Sequence, residues 1–148
     1  MKPKDMFDPA VKQEIVDRIN KLTPETQRRW GKMNVAQMMA HCQLPIKAAY
    51  GTHKVEGSFL LRLFGPMFKS VLYNSRPYKK GLPTDTSYVI ADEKDFEKEK
   101  TELLELISQF EENRIITTPH PVFGKMTKDQ WSKATWKHLD HHLQQFGV

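Results

Sequence analysis

Residues 127–146 read TKDQWSKATWKHLDHHLQQF. Thr127, with Gln130 three residues on, is a capping-box start for a helix. At about 100° per residue, Trp131, Thr135, His142 and Gln145 all fall within about 60° of His138. Trp136, Leu139, Leu143 and Phe146 take the other side or its flanks. A helix with one imidazole-bearing face and one apolar face needs apolar partners elsewhere in the chain.

Those partners are found upstream. Asp8-Pro9 opens a first helix, a capping acid before a proline at the first helical position, running to about Lys21 with Val11, Ile15, Ile19 and Leu22 at helical spacing. Asn34 with Gln37 caps a second, whose apolar surface is Val35, Met38, Met39, Cys42, Ile46 and Ala49, and Gly51 stops it. Pro45 inside it removes the hydrogen bond to the carbonyl of His41, so a kink is expected. Residues 58–73 read as a third helix, apolar on most sides and therefore expected to be buried, with Gly65-Pro66 as an irregularity. Asp92 is expected to cap a long fourth helix that turns Phe96, Leu103, Leu106, Ile107 and Phe110 inward. Loops cover residues 74–83 and 117–126, and residues 87–90 are a short candidate extended segment with no partner strand. The pattern predicts one all-α domain over residues 1–148, a bundle of four main helices plus turns.

One cysteine, Cys42, excludes an intramolecular disulfide, so packing must hold the fold. Cys42 adjoins His41, but neighbours on a helix point about 100° apart, so it is expected to be buried and structural. The net charge of +5 is unevenly placed. Between residues 26 and 84 the only acid is Glu56, against Arg28, Arg29, Lys32, Lys47, Lys54, Arg62, Lys69, Arg76, Lys79 and Lys80, while residues 92–112 are densely acidic. A basic half attracts anions. The aromatic-basic interleaving of a single-strand binder is missing, so no nucleic-acid partner is expected. The longest apolar stretch, residues 59–73, is broken by Arg62, Gly65-Pro66 and Lys69 and is too short to span a bilayer, so no membrane partner is expected. Met1-Lys2-Pro3-Lys4-Asp5 leads into no apolar run, and a cytoplasmic location is expected.

The chemistry lies in the histidines. His138 and His142, spaced i and i+4, stack one turn apart on one helix face, the separation at which two imidazoles reach one metal. The motif alone is weak, and His138 with His141 is an alternative pair, although His141 turns away from the face of Trp131, Thr135, His142 and Gln145. A third ligand must come from His41, His53 or His120. His41 sits mid-helix among Met38, Met39, Leu44 and Pro45, a natural third position in a bundle. His53 lies just past a helix end and His120 lies in Thr118-Pro119-His120-Pro121, so both are expected to be structural or exposed.

Trp30-Gly31-Lys32-Met33, Gln37-Met38-Met39-Ala40-His41, the segment HPVFGKMT at 120–127 with Trp131, and the segment HLDHHLQQFG at 138–147 together resemble a family of unknown function within the DinB/YfiT-like superfamily. The resemblance runs over nearly the whole chain; its C-terminal block is the most specific part and the N-terminal helix is generic. It implies a four-helix bundle in up-down-down-up order. It also implies a divalent metal, often nickel or zinc, on three histidines that fall here on His41, His138 and His142, with Gln145 supporting the last. Leu143-Gln144 stands where many relatives have Arg-Gly, and His141 is added, which keeps the choice between His141 and His142 open. Homodimers are common among such proteins.

Three neutral imidazoles leave an open metal position, as in catalytic sites. By resemblance the expected function is a transferase that activates a low-molecular-weight thiol toward a small-molecule substrate, with basic residues of the middle segment on the thiol's carboxylates. Gln145, Thr135, His120 and His141 are the residues expected around the ligands or the substrate. No residue stands out as a general base. Metal-dependent hydrolysis and a non-catalytic metal- or ligand-binding stress protein are the alternatives, followed by a helical interaction module with incidental histidines.

Overall fold

The computed structural model describes residues 2–82 and 84–148. Each helix begins where its capping chemistry dictates. Helix α1 (Pro9–Asn20) starts at Asp8, whose carboxylate accepts from the Ala10 N–H at 2.8 Å. In α2 (Val35–Ala49) the Asn34–Gln37 capping box is complete, with bonds of 2.8 and 2.9 Å, and Gly51 follows at φ +75°. The helix continues through Pro45. In α5 (Lys128–Gln145) the reciprocal bonds between Thr127 and Gln130 are both 3.1 Å.

Three expectations are corrected. Helix α4 (Phe96–Ser108) is capped by Asp95, whose carboxylate accepts from the Lys98 N–H at 2.7 Å, and not by Asp92. The Ala91 and Asp92 carbonyls instead accept from the Gln37 side chain, which ties residues 91 and 92 to the start of α2 and outside the helix. Residues 86–88 form a 3-10 turn capped by Asp85, where a short extended segment was expected.

The third correction is the largest. Helix α3 (Phe59–Phe68) and the 3-10 turn Lys69–Leu72 occupy the expected stretch, but only Gly65 of α3 is buried. Phe59 is 78 % exposed and Met67 74 %. Leaving such side chains in water forgoes about 1.5–3 kcal/mol apiece, which is why the apolar pattern alone predicts burial.

The other four helices pack in alternation: α1 lies against α4 and α5, and α2 against the same two. Their facing residues make one core that includes Ile15 and Ile19 of α1, Met38, Met39 and Ile46 of α2, Leu103 and Ile107 of α4, and Leu139 and Leu143 of α5. Polar links pin the contacts. Arg18 pairs with Asp140 at 2.8 Å, Gln43 donates to Glu99 at 2.7 Å, and the Arg29 N–H donates to the Gln145 carbonyl at 2.7 Å. The fold is all-helical: among the described residues the only β-type pairing is an isolated bridge between His120 and Gly124. Among the described residues no helix is long and apolar enough to cross a membrane.

Candidate metal centre

Packing α2 against α5 determines where the histidines meet. Met38, Met39 and Cys42 of α2 and Leu139 and Leu143 of α5 are buried in the common core. His41, one position before Cys42, is thereby set beside the His138–His142 face of α5. The His41 ring centroid lies 4.9 Å from that of His138 and 4.7 Å from that of His142, and the α5 pair stand 4.6 Å apart. His41, His138 and His142 each offer a ring nitrogen, and these three atoms lie within 4.8 Å of one another. His141 is not in the group. It turns instead toward Trp30 and Tyr78, at ring distances of 5.7 and 5.5 Å.

Hydrogen bonds decide which nitrogen each ring presents. His41 Nδ1 donates to the Tyr88 carbonyl at 2.7 Å, and His142 Nδ1 donates to Gln145 Oε1 at 2.8 Å. Gln145 is itself held, its Nε2 donating to the Trp30 carbonyl at 2.7 Å. With the proton on Nδ1, Nε2 is the unprotonated nitrogen of each of these two rings, the arrangement usual for metal-ligating histidines, and that of His41 accepts from His138 Nε2–H, a proton that a cation would displace. His41 Nε2 and His138 Nε2 are 3.1 Å apart. Two imidazoles on one ion, with bonds near 2.0–2.1 Å, hold their nitrogens about 2.9–3.4 Å apart, so the observed separation fits a shared cation.

The electrostatics agree. Burial lowers the pKa of His41, against the raising effect of its bond to Tyr88. Burial is also the largest cause for His142, which is pushed down to about 3 with further lowering by His41 and His141, and for His138, which is lowered further by the three neighbouring imidazoles. All three rings are therefore neutral near pH 7, the form that binds metal. Asp140 supplies no ligand, because its carboxylate is engaged by Arg18 at 2.8 Å and by Gln144 at 2.7 Å. The donor set fits a divalent ion held by nitrogen alone.

The remaining expected residues divide. Thr135 is buried on the same face of α5, and its Oγ1 has no hydrogen-bond partner among the described residues. His120 is buried apart from the trio, where its Nδ1 accepts from the N–H groups of Val122 and Phe123 and its ring lies 5.8 Å from that of Trp131. Those two bonds tie it to the turn at 120–124. The carbonyls of Tyr88 and Trp30 were not foreseen, since a backbone oxygen leaves no mark in sequence. Also unforeseen are two cation–aromatic contacts: Lys80 Nζ stands 4.4 Å from the Trp30 ring, and Lys137, fully buried with its Nζ bonded to the Val71 carbonyl and Asn74 Oδ1, stands 4.4 Å from the Tyr78 ring.

No curated protein and no solved structure matches the chain. Residues 5–147 match the family model described as "Protein of unknown function (DUF1569)", and the chain belongs to that family.

Proposed function

We propose that this chain is a metal-dependent enzyme acting on a small-molecule substrate, with a nickel or zinc ion held by His41, His138 and His142. The observation that carries this reading is the 3.1 Å approach of two Nε2 atoms from different helices, with the Nδ1 atoms of His41 and His142 turned to hydrogen-bond acceptors. A divalent ion held by these three neutral imidazoles would supply Lewis acidity, lowering the pKa of a water or thiol bound to it. The chain's own residues fix the donors: the Tyr88 carbonyl orients His41, and Gln145 orients His142. Thr135 Oγ1 is a spare hydrogen-bonding group on the same face.

Within this reading, transfer from a low-molecular-weight thiol is favoured over hydrolysis. His141 and Lys80 gather protonatable or positive groups beside Trp30 and Tyr78 near the trio, suited to a carboxylate-bearing small molecule. A hydrolase would be helped by a free carboxylate as base, and Asp140, next in sequence to His141, is tied to Arg18. The resemblance to the DinB/YfiT-like superfamily points the same way. The packing of α1 and α2 against α4 and α5 is compatible with its four-helix bundle.

The test is thiol consumption by the nickel- or zinc-loaded chain in the presence of an aromatic halide as electrophile. Metal-dependent conjugation that His138→Ala abolishes is the expected result. A loaded chain that hydrolyses esters without consuming thiol would favour the hydrolase, and one that does neither would leave a non-catalytic metal-binding protein.

A further inference from the structure

Segment 59–72 carries apolar side chains that the chain itself does not cover. Helix α3 is seated on the rest of the molecule through Gly65, where an added Cβ would stand 2.2 Å from the Val122 carbonyl oxygen. The end of the segment is fastened to α5 by Lys137, whose Nζ donates to the Val71 carbonyl and, at 2.9 Å, to Asn74 Oδ1. On either side of Gly65, the side chains of Phe59, Leu60, Leu63, Phe64, Met67 and Phe68 are exposed. Contiguous apolar surface of this kind marks an interaction site.

Along the sequence its flanking charges are basic but for Glu56, and Arg62 and Lys69 each also donate to a backbone carbonyl, of Glu56 and of Lys125. Arg62 and Lys69 are interspersed with the apolar residues, Lys54 precedes them, and Arg76, Lys79 and Lys80 follow, with Glu56 the only acid between residues 26 and 84. We propose that α3 is a docking surface for an anionic lipid bilayer, lying in the plane of the interface with its apolar side chains among the acyl chains and Arg62 and Lys69 at the headgroups. Ten α-helical residues reach about 15 Å, half the hydrocarbon thickness, so the helix lies along the surface and does not cross it. An apolar helix with basic residues at its margin is the composition that binds such interfaces, and long cationic side chains lay their stems on the apolar layer while the charge stays wet. A second copy of the chain is the poorer occupant. A two-fold interface sets the same patch against itself, a patch whose own charges are basic but for Glu56, so it offers little complementary charge. Anionic headgroups supply the missing complement.

The sequence expectation of no membrane partner rested on spanning length, which in-plane binding does not need. The inference is independent of the metal reading.

The test is co-sedimentation of the full chain with vesicles of phosphatidylglycerol and phosphatidylcholine, and with vesicles of phosphatidylcholine alone. Binding to the anionic vesicles is expected, weakening as salt rises to about 0.5 M. The double variant Phe59→Ser, Met67→Ser alters only exposed positions, so it should melt at the parent's temperature while its partition falls at least about tenfold. A second variant, Arg62→Gln with Lys69→Gln, should lose the preference for anionic lipid. Absence of binding to anionic vesicles would overturn the proposal, and so would equal, salt-insensitive binding to both kinds. A dimer in size-exclusion chromatography that the Phe59, Met67 variant dissociates, without vesicle binding by the parent, would assign the face to a second copy and overturn it too.

Discussion

Gln145 accepts the Nδ1–H of His142 at 2.8 Å, three residues away on the same helix, while donating to the Trp30 carbonyl at 2.7 Å. One side chain therefore fixes the tautomer of an imidazole and ties the end of α5 to the turn at Trp30. Gly31 makes room for it: a Cβ there would stand 2.4 Å from Gln145 Nε2, and the residue has φ +83°.

Gln145→Ala frees the His142 ring while leaving the three nitrogens present. Metal affinity should fall about 10–100-fold, the usual loss when a partner that orients a ligand is removed. Stability of the metal-free chain should fall by about 1–3 kcal/mol, because the Trp30 carbonyl loses its donor. Calorimetric titration with zinc and chemical unfolding check the two effects separately.

The pH dependence of the metal-free chain follows from the buried imidazoles. His142 is pushed down to about 3 and His120 to about 4, each chiefly by burial, while an unfolded histidine titrates near 6.5. Above about 7 both states are neutral and pH has little effect through these groups. Below about 6.5 the unfolded chain takes up protons that the folded chain refuses, so stability falls with pH until the folded-state values are reached. The thermal midpoint should be level from pH 8 to 7 and should drop steadily from 6.5 toward 4. Metal should be released over the same descent as protons compete for the imidazoles.

Cys42 is fully buried, its Sγ 3.6 Å from Met38 Sδ, and burial raises its pKa strongly. The native chain should be inert to a thiol reagent at pH 8 and should react with one equivalent only after denaturation, about one thiol per chain. Rapid labelling of the native chain would mean that α2 is not packed as described.

What the sequence reveals depends on where the information is stored. Caps are local, so Asp8, Asn34–Gln37 and Thr127–Gln130 are legible in sequence, and the 3.6-residue period brings His138 and His142 onto one face. The choice of Asp95 over Asp92 is not local, since it turns on Gln37 of another helix holding the carbonyls at 91 and 92. The Tyr88 carbonyl on His41 is invisible for the same reason. Between His141 and His142, the geometry groups His142 with His41 and His138, while His141 lies beside Trp30, Tyr78 and the His142 ring. The exposure of α3 was missed because an apolar pattern reports that a helix needs cover, and says nothing of whether the same chain supplies it.

Gly65→Ala tests how α3 is seated. The added Cβ meets the Val122 carbonyl oxygen at 2.2 Å, a backbone group that cannot turn aside as a flexible side chain would. The substitution should cost about 1–3 kcal/mol of local stability despite the better helix propensity of alanine. Faster amide exchange over residues 57–72, with exchange in α5 little changed, is the expected signature.

Metal content bears most directly on the trio. The purified chain, incubated with nickel or zinc and desalted, should retain about one equivalent, as one three-imidazole centre requires. His41→Ala and His142→Ala should each lose most of it, and His141→Ala should keep it. Equal metal in the parent and in the His41 and His142 variants, or none in any of them, would contradict the account.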